Sequence, residues 1–124
     1  MKAAVIDCHG HYTTSPPALA SFRKAQVAAL AEPRASRAKA PLHVTDYEIR
    51  DSVEGSQIRV QRERGTDLTL FSPRAAGMEH HVGDATTSRH WTNCNDLVHR
   101  VCTLYPDRFA GVCSSTPVST TARA

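Results

Sequence analysis

The sequence predicts an α/β fold in which short parallel strands are joined by helical crossovers. Three observations carry this. Compact apolar runs bounded by turn residues stand at residues 3–6 (AAVI), 67–72 (DLTLFS) and 109–113 (FAGVC). The segments between them repeat apolar residues at helical spacing. The resulting order is strand, helix, helix, strand, helix, strand, the order of right-handed crossover units, and a parallel sheet of this kind is expected to carry helices on both faces.

The first run stops at Asp7 and reads as a short strand buried on both faces. Ser15 followed by Pro16 then starts a helix, because a hydroxyl can cap a free amide and proline pre-sets φ in the first turn. Ala18, Leu19, Phe22, Ala25, Ala29 and Leu30 recur on one side of it, and it should stop before Pro33. The stretch "EPRASRAKAP" is a loop by composition. Basic residues from Arg23 to Lys39 alternate with alanines and lack interleaved aromatic residues, so they read as a solvated face, and no nucleic-acid partner is expected.

Thr45 and Glu48 have the spacing of a capping box and open a second helix. Gly55 interrupts its pattern, helix resumes through "SQIRVQRERG", and Gly65 is the natural left-handed cap. After the second strand, "PRAAGMEHHVGD" is too polar and glycine-bearing for regular structure and reads as a loop. From Ser88 to Tyr105 the residues Trp91, Cys94, Leu97, Val98, Val101 and Tyr105 form the clearest amphipathic helix, closed by Pro106.

With 124 residues, 40% hydrophobic and 22% charged, the chain has the composition of one small soluble domain, and its net charge of +3 is mild. Four cysteines without a C-x-x-C pair suggest neither a zinc knuckle nor a disulfide framework; reduced thiols are expected, with Cys8 packing rather than reacting. The opening "MKAAVIDC" is too short for a signal peptide's apolar region or a membrane span, so a cytoplasmic protein without membrane contact is expected.

In open doubly wound sheets and in (β/α)8 barrels alike, chemistry gathers at the C-terminal ends of the strands. His9, His11 and the loop at 72–84 are expected at that end. Side chains two apart in an extended segment share a side, so His9 and His11 can aim both imidazoles at one ion while Gly10 leaves the space between them free. The same spacing also suits two histidines that hydrogen-bond local backbone, and among 7 histidines an H-x-H pair is unsurprising. His43, His90 and His99 read as structural or exposed.

The stretches "VIDCHGHYTTSPPAL", "ERGTDLTLFSPRA" and "LYPDRFAGVC" resemble the amidohydrolase-related branch of the metal-dependent hydrolases, the group containing aminocarboxymuconate semialdehyde decarboxylase. Within it, "DCHGHYTT" and "FSPRA" are most similar to the 4-oxalomesaconate hydratases, over residues 2 to about 112. The resemblance implies a (β/α)8 TIM barrel of which this chain holds the N-terminal part, about three strands with their crossover helices, over residues 1–113. It implies a divalent metal, usually zinc, held by His9 and His11 together with ligands from later strands that have no counterpart here. Residues 114–124, "SSTPVSTTARA", leave the pattern and read as a disordered tail such as a frameshift or premature stop would produce.

The activity implied is addition of water to 4-oxalomesaconate in aromatic-compound (protocatechuate or gallate) degradation. A metal-dependent decarboxylase or hydrolase of the same superfamily, or a non-catalytic truncated fragment, are the other readings. An anionic polycarboxylate substrate needs donors and fixed positive charge: Arg74 offers a bidentate fork, Ser72 a hydroxyl, and one of His80 and His81 a contact or proton carrier. No general base is assigned. The full-length relatives leave room for homo-oligomers, and this chain alone is expected to be inactive.

Overall fold

The computed structural model describes residues 3–31, 42–74 and 85–113. Along the chain these form β1 (Ile6–His11), α1 (Pro17–Ala31), α2 (Asp46–Val53), a π-helical turn (Glu54–Ile58), α3 (Arg59–Arg64), β2 (Leu68–Ser72), α4 (Ala85–Leu104) and β3 (Phe109–Gly111). The sheet order is β1-β2-β3 and both pairs are parallel, so the crossover architecture expected from the element order is present.

The first strand differs from its expected position. Residues 3–5 precede the ladder and β1 begins at Ile6, because the rungs start where Ile6 meets Leu68. Val5 only ties the entrance, its carbonyl accepting from the Asp67 and Leu68 amides and its amide donating to the Asp67 carboxylate. Nor is β1 buried on both faces. As an edge strand with one neighbour it leaves residues 6–9 exposed, and Cys8 is therefore exposed rather than packed.

Alternation along β2 divides the sheet into two unlike faces. Thr69 and Phe71 are buried, together with Phe109, the register partner of Thr69. Leu68, Leu70 and Ser72 point the other way and are half-buried, and Ile6, opposite Leu68, is 55% exposed. The described helices send Leu19, Ile49, Val53, Ile58, Leu97, Val98 and Val101 into one core with Phe71, Tyr12 and Phe109. Helical cover is thus found on one face, where the sequence suggested two.

Local signals act as expected in α2 and α3, whereas α1 begins at Pro17, just after the Ser15–Pro16 start read from sequence. Thr45 closes the capping box: its hydroxyl accepts from the Glu48 amide at 3.2 Å, while its own amide donates to Glu48 Oε2 at 2.8 Å. These bonds hold the Glu48 carboxyl below its ordinary pKa. Arg100 of α4 donates to Val44 O at 2.8 Å and pairs with Asp46, locking α4 to the start of α2. Gly55 does not break the helix. One π-helical turn absorbs it, and the path continues into α3 until Gly65, whose φ of 67° ends the helix in the left-handed region. On α4, which starts three residues before Ser88, Trp91, Cys94, Leu97, Val98 and Val101 are all buried. The loop residues 75–84 and the tail 114–124 lie outside the described residues. Among the described residues no helix is long and apolar enough to cross a membrane, and the four cysteines are free of disulfides.

Burial pushes the Tyr12 phenol, the Tyr105 phenol and the Cys102 thiol above their ordinary values. The sign follows directly. Below the unfolded values, about 9 to 10, both states hold these protons; above them the unfolded chain releases protons that the fold retains, so stability declines as pH rises. Urea titrations are expected to give a flat midpoint from about pH 7 to 8.5 and a falling one above about pH 9. Tyr12→Phe should fall less steeply, and an equally steep fall in that variant would remove Tyr12 from the account.

Candidate metal centre

β1 and β2 build this site together. Gly10 pairs with Phe71 and His11 with Ser72, yet Asp7 pairs with Thr69, so β1 takes three steps where β2 takes two. The extra residue makes a bulge at Cys8 and His9. The Asp7 carboxylate holds it, Oδ1 accepting from the His9 amide at 3.0 Å.

Beside the bulge the two imidazoles converge. In a regular strand, residues two apart are separated by roughly 6.5 Å. Here the His9 and His11 rings lie 4.8 Å apart at 83°, with their Nε2 atoms 3.2 Å from each other. Two nitrogens bound to one tetrahedral zinc at 2.0–2.1 Å would be separated by about 3.3 Å. The two imidazoles therefore fit adjacent corners of a tetrahedral zinc site. Among the described residues no group of three or more histidine, cysteine, aspartate or glutamate side chains converges, so the candidate centre there is this pair.

Gly10 has a second role that the sequence did not show. A Cβ there would point at β2, 2.2 Å from Thr69 Cγ2 and 2.9 Å from Leu70 O. Glycine is required because β1 and β2 approach so closely at the bulge.

Of the remaining expected site residues, Ser72 lies beside His11: its Oγ is 2.7 Å from His11 Nδ1 and 3.1 Å from Gly10 O. Arg74 is exposed, two residues past the end of β2 and so at the same end of the sheet. His80 and His81 lie outside the described residues. His43 and His99 are exposed, and the side chain of His90 is not among those described.

Sequence reasoning missed two supports. Asp7 was readable as an Asx-type acceptor two residues before an amide. A hydroxyl network behind the loop after β1 was not. Tyr12 Oη meets Ser52 Oγ at 2.7 Å, and the Thr14 hydroxyl meets Ser56 Oγ at 2.7 Å and Gln57 Oε1 at 2.6 Å. The π-helical turn presents Ser56 and Gln57 to that loop, and no sequence pattern announces a contact across some forty residues.

No family model matches the chain. Among curated proteins it is similar to 2-keto-4-carboxy-3-hexenedioate hydratase of Sphingobium sp., with 46% identity over 111 residues that cover 88% of this chain and 32% of the relative. The chain is a homologue of that hydratase. Among solved structures it is similar to 4-oxalomesaconate hydratase from Rhodopseudomonas palustris, with 38% identity and a TM-score of 0.79, covering 94% of this chain and 34% of the other. It thus spans about a third of the length of the hydratases it matches. The fold is also shared with 5-carboxyvanillate decarboxylase from Sphingomonas paucimobilis, at 21% identity and a TM-score of 0.56, over 94% of this chain and 36% of that one.

Proposed function

We propose that this hydratase homologue is part of a zinc-dependent (β/α)8 hydratase that adds water to a carbon–carbon double bond of a polycarboxylic keto acid such as 4-oxalomesaconate, in aromatic-compound degradation. The observation that carries the reading is the 3.2 Å approach of the His9 and His11 Nε2 atoms, in a chain 46% identical to a hydratase. The unlike faces of the sheet support the barrel. Helices cover one face, and the other runs from apolar Ile6, Leu68 and Leu70 to polar Ser72 and His11, the gradient of a barrel interior that ends in a site at the strand C-termini.

A bound divalent metal would polarise an oxygen or lower the pKa of a water to about 7. His9 and His11 hold it, and the bulge fixes their separation. Arg74, at the same end of the sheet, pairs with a substrate carboxylate through two parallel hydrogen bonds. His80 and His81, outside the described residues, give the substrate at most one contact. Two imidazoles without a placed base do not complete a catalytic site, so turnover needs ligands beyond the described residues.

Calorimetric titration with zinc tests the reading. Weak binding is expected, since tight catalytic sites normally use three protein ligands. Replacing His9 and His11 together with alanine should abolish it. Submicromolar affinity that survives the double replacement would overturn the assignment.

A further inference from the structure

We propose that Ser72 is a positioning residue that fixes the tautomer of His11 and so aims its Nε2 lone pair at the metal; the inference rests on the metal reading above. A serine hydroxyl carries one proton and two lone pairs. Ser72 Oγ touches Gly10 O at 3.1 Å and His11 Nδ1 at 2.7 Å. The Gly10 carbonyl can only accept, so the hydroxyl proton goes there. What remains for His11 is an oxygen lone pair, which Nδ1 can meet only as N–H. A neutral imidazole protonated at Nδ1 carries its lone pair on Nε2, the atom that lies 3.2 Å from His9 Nε2.

The backbone holds this arrangement in place. Ser72 is the register partner of His11, and its carbonyl accepts from the Tyr12 amide at 3.0 Å, so hydroxyl and ring are fixed on one rung. With its single proton on Gly10 O, Ser72 has no donor left for a substrate carboxylate, which separates this role from the substrate contact expected from sequence. Among the described residues no hydrogen bond holds His9 Nδ1 in the same way, so Ser72 acts directly on His11. Metal-binding histidines commonly depend on such a partner for their second nitrogen.

The test uses the full chain labelled with 15N-histidine, metal-free and at mildly alkaline pH, with the His11 signals assigned by His11→Ala. Long-range proton–nitrogen spectra report the tautomer, and competition with a chromophoric chelator reports zinc affinity. The wild type is expected to show the Nδ1–H pattern at His11. Ser72→Ala should lose that pattern and weaken zinc binding by roughly 10- to 100-fold. Ser72→Thr, which keeps the hydroxyl, should stay within about 3-fold of wild type. An Nε2–H pattern at His11 in the wild type overturns the proposal whether or not the variants fold. So does a Ser72→Ala chain with unchanged tautomer and affinity, or a Ser72→Thr chain as impaired as the alanine variant. If the wild type binds no zinc through its histidines, the metal reading fails, while the tautomer spectra still decide what Ser72 does.

Discussion

Replacing Gly10 with alanine is expected to detach β1 from β2, abolish zinc binding and cost roughly 3 kcal/mol or more of stability. The backbone angle is not the obstacle, since the only glycine with positive φ among the described residues is Gly65. The obstacle is contact: the new Cβ would lie 2.2 Å from Thr69 Cγ2 and 2.9 Å from Leu70 O. A methyl could swing aside, but the carbonyl belongs to the ladder itself. The strand must therefore retreat, and it carries both imidazoles with it. Adding Thr69→Ser removes the methyl while keeping the oxygen that accepts from Gln61 Nε2 at 2.8 Å. The double variant should recover part of the loss and not all of it, because Leu70 O remains in the way. Thermal melts and the zinc titration measure both effects, and a Gly10→Ala chain that melts and binds like the wild type would refute the close approach.

Phe71→Ala should be at least as damaging to the fold, by about 3–5 kcal/mol, the range for emptying a buried aromatic site. Phe71 is fully buried, with ring centroids 4.8 Å from Phe109 and 5.5 Å from Tyr12, so it joins β3, β2 and the loop after β1. Its loss leaves a cavity beneath the rung that bears Gly10. Phe71→Leu should restore much of the stability, because most of the apolar volume returns. Leu70→Ala, one residue away on the half-buried face, should cost less than half as much. Chemical denaturation of the three variants decides this, and equal losses at positions 70 and 71 would mean that the two faces of the sheet are wrongly assigned.

The legible part of the candidate site was that His9 and His11 share a side at a strand end. Aspartate and two histidines at the end of an apolar run signal a polar strand terminus, and the spacing of two is enough to put both imidazoles on one side. The bulge that turns one side into one point left no mark in the pattern. It arises because β1 and β2 pair out of step between Asp7 and Gly10, a relation between residues some sixty positions apart. For the same reason the sequence did not show that Gly10 faces Thr69 and Leu70 across the ladder, or that the Ser72 hydroxyl has two partners within the chain.

By itself the sequence determined what depends on neighbours along the chain: the amphipathic helix read from Ser88 to Tyr105 and found as α4, the capping box at Thr45, the left-handed end at Gly65, the second strand and the parallel crossover order. These rest on periodicity, on free amides at helix ends and on the steric freedom of glycine, all set within a turn or two. Only the tertiary structure decided where β1 begins, which face of the sheet the helices cover, and that two imidazole nitrogens meet at 3.2 Å. A strand acquires its limits and its buried side from the partner it pairs with, and two side chains acquire a common target from the register of that pairing.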